Sequence, residues 1–225
     1  MVDTSVQKQP IQKRTLVLIG AGVPLLFQTF MTIFAFLFPQ TILSPAAWVS
    51  LHILTEMLFV ICPLLAVYLS GLTLGNAWRV LGGQRIGWLD GSLVVLLGLF
   101  AIFPLQWLYN FVVYWLFGTL PEFGFPQSSQ DIVPFILLVL VFAPLGEEVF
   151  FRGYLGNQGW KPWVFIFASS ILWSVMHVDP LSFFPLLWMG IVFAYIRQRY
   201  QSIFPSLILH VIINGLALAQ HFLVK

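Results

Sequence analysis

Charge is scarce in this chain. Of 225 residues, 8% are charged and 60% hydrophobic, with a mean hydropathy of +0.94. A soluble domain carries about a quarter charged residues, so that class is excluded before any motif is read. Cysteine is nearly absent too: Cys62 stands alone, which rules out an intrachain disulfide and leaves the redox compartment undetermined. The net charge of +2 lacks the basic excess of a nucleic-acid partner. There is no internal repeat, no low-complexity stretch and no linker long enough to mark a second domain. No HExxH occurs, so spacing alone does not make a zinc-protease helix.

What is abundant is apolar surface, including nine Trp and 23 Phe. Spanning a bilayer takes about 20 apolar residues. Seven segments qualify, roughly 15–38, 47–70, 91–117, 132–156, 162–178, 181–196 and 203–223, the fifth and sixth being short and separated by Asp179-Pro180. The first follows Lys13-Arg14 but exceeds the 7–15 apolar residues of a signal peptide, and no small-residue cleavage site follows. It reads as a transmembrane helix that stays. The expected fold is all-α: a polytopic transmembrane bundle of about seven spans, with residues 1–14 as a cytoplasmic tail and 15–225 as one membrane domain.

Lys and Arg sort by side, as topology requires. Lys8, Lys13, Arg14, Arg79, Arg85, Arg152, Lys161, Arg197 and Arg199 fall on one face of this arrangement. Glu122, Asp131 and Asp179 fall on the other, with Lys225 its only basic side chain. A cytoplasmic N-terminus and an external C-terminus follow. The protein is expected to be integral to the plasma membrane of a bacterium or the endoplasmic reticulum of a eukaryote.

Polar residues inside apolar segments are costly, at least ~2.5–3.5 kcal/mol for a charge at the bilayer centre, and so are paired or functional. In VFAPLGEEVFFRGYL, Glu148 and Arg152 are four apart and can neutralise each other on one helix face. Glu147 points about 100° away and has no partner on its own helix. His210 and Asn214 are also four apart; polar glue between helices would account for either alone. His177 lies one turn after Trp173, where a simple helix cap would explain it. His52 and Glu56 read best as a mutually satisfied pair in the second segment.

Together these residues are the ingredients of water activation. A Glu or His can serve as general base, and His and Asn can stabilise an oxyanion. Glu147, His177 and His210 could equally be three zinc ligands with an open fourth position.

The ordered set Glu147-Glu148-VFF-Arg152, Trp173-SVM-His177 and His210-VII-Asn214 resembles the EExxxR, aromatic-xxxHis and HxxxN motifs of the CAAX-protease and bacteriocin-processing family, which includes the type II CAAX prenyl endopeptidases. The resemblance covers a motif core at about 131–223, and the first three segments carry no matching motif. Trp173 stands where the family often has Phe, a change of bulk rather than of chemistry. The resemblance implies an intramembrane endopeptidase. Glu147 would be its catalytic carboxylate, with His177 as partner in activating water. His210 and Asn214 would bind the oxyanion, while Glu148 and Arg152 would support Glu147. Its substrate would be a peptide or protein at the membrane, prenylated or otherwise lipid-associated in the CAAX branch. Descriptions of the family allow a metal-free glutamate mechanism or a zinc one; the metal-free version is preferred, since no separate carboxylate claims the role of base.

Two other function classes compete. A proton- or ion-coupled transporter would show symmetric halves and broken half-helices, which are not evident. A non-catalytic peptide-binding scaffold would give no physical reason to keep every motif residue. One geometric tension accompanies the protease reading. Counted at ~1.5 Å per residue from the basic side, Glu147 lies about 14 Å deep, His210 about 10 Å and His177 about 24 Å.

Overall fold

The computed structural model describes residues 14–37, 44–119 and 129–223. Lys8, Lys13, Glu122, Lys225, most of the expected N-terminal tail, and the side chains of Arg14 and Asp131 lie outside the described residues. Among the described residues all regular structure is helical: α1 (Thr15–Leu37), α2 (Pro45–Tyr68), α3 (Leu74–Val80), α4 (Trp88–Phe117), α5 (Ile132–Asn157), α6 (Pro162–Met176), α7 (Phe183–Tyr200) and α8 (Phe204–Leu223). The seven apolar segments are all helices, and this is an integral, multi-pass membrane protein. Length and composition qualify α1, α2, α4 and α5 as full spans, while α6 is a shorter apolar helix and α7 ends in Arg197 and Arg199. The short α3 lies where the sequence suggested only a connection.

Local chemistry sets the helix ends. Ser44 caps α2 by accepting from the Ala47 N–H at 3.3 Å, and Pro45 occupies its first position. Thr73 caps α3 in the same way, and Gly118 ends α4 in the left-handed conformation that glycine adopts freely. Helix α5 is not a uniform α-helix. Wider π turns at Leu138–Phe142 and Glu148–Tyr154 bracket the α-helical stretch Ala143–Glu147. Such turns shift the side-chain register, and they recur at functional sites.

Packing confirms the sorting of the loops. The Ile203 N–H donates to the Gly82 carbonyl at 3.0 Å, Gln84 Nε2 donates to the Gln201 carbonyl at 2.7 Å, and Gly153 near the end of α5 lies against the Leu81 carbonyl. The loops before α4 and α8 and the end of α5 therefore share one end of the bundle, as the basic residues required. At the other end Tyr109 OH donates to the Leu181 carbonyl. Arg152 and Arg197 do not belong among the topology-setting surface charges, because both are buried between helices. The core gathers Leu16, Phe59, Phe150, Phe151, Tyr154, Phe165, Trp173 and Phe193, and Tyr154 OH ties α5 to α1 through the Leu16 carbonyl at 3.1 Å.

Candidate active site

Helices α5 and α6 form an antiparallel hairpin that explains how distant residues meet. A Cβ on Gly156 would lie 3.1 Å from the Phe165 ring, so these residues are level near the turn. Trp173, eight residues deeper on α6, then meets Glu147, nine residues deeper on α5: its indole Nε1–H donates to Glu147 Oε2. His177 is one turn deeper still. Its ring leans back, as helical side chains do toward the N-terminus, and Nε2 comes to 4.0 Å from Glu147 Oε1. The expected depth gap of about 10 Å closes for two reasons. Helix α6 begins about one turn further out than the end of α5, and the His177 side chain returns about another turn.

The two neighbouring glutamates have different surroundings. Glu148 is fully buried: Oε1 lies 3.5 Å from Arg152 Nη1 and 3.4 Å from His210 Nδ1, and Ser206 Oγ donates to Oε2 at 2.5 Å. Arg152 makes its ion pair without a well-directed hydrogen bond; its guanidinium instead lies over the Trp173 ring at 4.6 Å and the Phe193 ring at 5.2 Å. Cation–π contact with two aromatic faces partly replaces lost hydration. Glu147 keeps some exposure, with its side chain 12% accessible, and faces a cavity of about 720 Å³.

That cavity is lined by α1 through residues such as Met31 and Phe36, by His52, Glu56 and Phe59 of α2, by Glu147 and Phe151, and by Trp173 and His177. Of the motif residues, Glu147, Trp173 and His177 reach it. His210 lies behind them, between the two carboxylates, with Nε2 3.7 Å from Glu147 Oε2. Asn214 is one turn further along α8, its Nδ2 donating to the Val139 carbonyl in the first π turn of α5 at 2.9 Å. No hydrogen bond joins Asn214 to Glu147.

The His177 tautomer follows from its neighbour. Nδ1 is 2.8 Å from the Trp173 carbonyl, which can only accept, so Nδ1 carries a hydrogen. In the neutral ring Nε2 is then a lone pair aimed toward Glu147. Helix α6 stops here: Val178 has φ +55°, uncommon for a β-branched residue, and turns the chain directly after His177.

Two expectations need correction. His52 and Glu56 do not satisfy each other: no bond joins them, and Glu56 Oε2 is buried without a hydrogen-bond partner. The carboxyl is instead pressed against Gly146, because helix packing prevails over the i, i+4 spacing on α2. Trp173 is also more than a change of bulk, since its N–H bonds Glu147 and no Phe could do so.

Sequence reasoning missed three contributors. Ser206 continues the four-residue spacing of His210 and Asn214 backwards, and that spacing was its available signal. Gly146 lets α2 approach, since a Cβ there would lie 2.7 Å from the Glu56 carbonyl; a small residue beside the motif Glu was the clue. Gly190 of α7 makes room for the Trp173 ring, with a Cβ meeting Cε3 at 3.1 Å, and nothing local in the sequence marked it.

The family comparison falls on the same residues. Residues 129–216 match the family model described as type II CAAX prenyl endopeptidase Rce1-like, a stretch that holds every motif side chain named above. Over this stretch the chain is similar to these endopeptidases. It is also similar to the "Putative membrane peptidase YdiL" of Bacillus subtilis, 24% identical over 149 residues, covering 63% of this chain and 59% of that protein. The "UPF0177 protein YbdI" of Lactococcus lactis is 29% identical over 89 residues, 39% of this chain and 49% of that protein. The chain thus spans about half to three-fifths of the length of the curated relatives it matches. No solved structure matches.

A metal site is the remaining test of geometry. Among the described residues no group of three or more His, Cys, Asp or Glu is arranged to hold a metal ion. Glu147 Oε2 is taken by the indole N–H. The expected trio of Glu147, His177 and His210 is not so arranged in this structure, and the chemistry proposed for the site passes through no metal.

Proposed function

We propose that the protein is a membrane-embedded endopeptidase in which Glu147 and His177 activate water. The observation that carries this reading is the 4.0 Å gap between Glu147 Oε1 and His177 Nε2, both of which present lone pairs at the cavity wall. A gap of this size is spanned by one water that donates a hydrogen to each. Its oxygen lone pair then points into the cavity, where a peptide carbonyl would lie.

In the chemical step the water oxygen bonds to the carbonyl carbon as its proton passes to Glu147 Oε1. The carbonyl oxygen becomes an oxyanion, for which the second N–H of Asn214 is a candidate donor once substrate is bound; His210, its Nδ1–H held by Glu148, would join it as an imidazolium through Nε2–H. Collapse breaks the C–N bond, and the proton held by Glu147 moves to the departing amine. Glu148, Arg152 and Ser206 hold His210 and the α5–α8 contact from behind. The substrate is a peptide or protein at the membrane, and the largely apolar wall of α1 beside the site suits a lipid-associated segment. A prenylated C-terminal segment is the first choice of model peptide, given the family resemblance.

The test is cleavage of that peptide by purified protein in detergent, with mass spectrometry of the products, before and after chelation. Cleavage that survives chelation and disappears in Glu147→Gln supports the metal-free reading. Activity lost on chelation and restored by zinc would replace it with the metal one. Wild-type turnover by Glu147→Gln would sink the assignment of the base.

A further inference from the structure

We infer that Trp173 is a positioning residue whose indole N–H, rather than its bulk, orients the carboxylate of Glu147. This inference rests on the proposed hydrolytic role of Glu147 and adds a part that the motif pattern does not contain, since the aromatic before the His is often Phe.

A carboxylate inside an apolar bundle needs donors. Arg152 is committed to Glu148, while His177 and His210 stand 4.0 and 3.7 Å from Glu147, beyond direct hydrogen-bond distance. The Trp173 indole is the one donor within that distance of Glu147 among the described residues. It takes Oε2, which leaves Oε1 as the oxygen facing His177 and the cavity. Without it the Glu147 side chain, with its rotatable bonds beside open space, would have no fixed presentation.

The indole is itself held firmly. Trp173 is almost wholly buried, the Arg152 guanidinium lies over its face at 4.6 Å, and the His177 and His210 rings meet it edge-on at 4.9 and 5.7 Å. Gly190 gives the ring its space on the α7 side. One side chain thus touches the carboxylate, both imidazoles and the arginine. A Phe could fill most of this slot but would leave Glu147 Oε2 without its donor.

The experiment has two readouts, both on the full chain in detergent. In steady-state cleavage, Trp173→Phe should lower kcat about 10–100-fold, the loss expected for a hydrogen bond to a charged group, with KM changed less than about twofold. In nitrogen-15-labelled protein the nine Trp give nine indole resonances. One of them should move upfield in Glu147→Gln while the other eight stay, and Trp173→Phe should lack that one. Should Trp173→Phe fail to fold, Trp173→His identifies the resonance by its loss and keeps a ring N–H for partial rescue of kcat. Wild-type kcat in a folded Trp173→Phe overturns the inference, and so does an indole spectrum unmoved by Glu147→Gln. Absence of cleavage by the wild type would count against the proposed function alone, because the indole resonance tests the contact without turnover.

Discussion

The helices that carry the motifs, α5 to α8, and those that precede them, α1, α2 and α4, use the same apolar alphabet for opposite purposes. In the first group the rings around the site are interior: Phe150, Phe151, Tyr154, Trp173 and Phe193 are buried, and several lie against Arg152 or the imidazoles. Trp163, Phe167, Phe184 and Tyr195 on its outer faces are exposed. In the second group, Phe59 apart, the most prominent aromatics are exterior: Phe36, Trp88, Phe100 and Trp115 face outward, where a bilayer would meet them. Aromatic content therefore says nothing by itself about a pocket. What separates the groups is company. Buried rings in α5 to α8 enclose charges that need fixed partners, whereas outward rings in α1 to α4 need only lipid. Hydrophobic surface is exchangeable in the second setting and position-specific in the first.

That contrast can be broken or sharpened by substitution. The largest effect is expected for Glu147→Gln, which should reduce cleavage by about 10²–10⁴-fold, the usual worth of a general base, with an unchanged melting transition. Arg152→Met comes next and acts on the fold, because it strands the buried Glu148. A loss of about 3–5 kcal/mol is expected in thermal or denaturant unfolding. Adding Glu148→Gln to Arg152→Met should recover part of that loss, and no recovery would mean that the ion pair is not what holds this region. Gly146→Ala should cost about 1–3 kcal/mol by forcing α5 away from Glu56 and the α2 backbone, and should also slow cleavage by displacing the adjacent Glu147. Smallest of all, Trp115→Leu on the outer face of α4 should change stability by less than about 0.5 kcal/mol. A large effect there would show that the α4 surface is an interface rather than a lipid boundary.

Much of this architecture was legible because membranes leave few options. An apolar run of sufficient length must be helical, and Lys and Arg sort by side, so all seven expected segments are helices and the loops before α4 and α8 share an end. Glu148 with Arg152 could be read from spacing alone, since a four-residue separation on one helix survives even the π turn at Glu148–Tyr154. The same rule failed for His52 and Glu56. Nothing in α2 says that Gly146 of another helix will sit against the Glu56 carboxyl and draw it aside. His177 looked too deep for Glu147 because counting residues along two helices assumes that both start at one level and that side chains point straight out. The level of Phe165 with Gly156, and the backward lean of the His177 ring, are properties of the packed hairpin.

By itself the sequence determined that this is a helical membrane protein, that its charges divide by side, and that one glutamate of an adjacent pair lacks a partner on its own helix. These follow from hydropathy and from the 3.6-residue period, which depend only on neighbouring residues. Tertiary structure alone decided which glutamate faces the cavity, that Ser206 and His210 close around the other, and that Trp173 serves Glu147 with an N–H. Those outcomes depend on the depth and rotation of one helix against the next. Side-chain shape and the few small residues at the contacts set that register, and no local pattern encodes it.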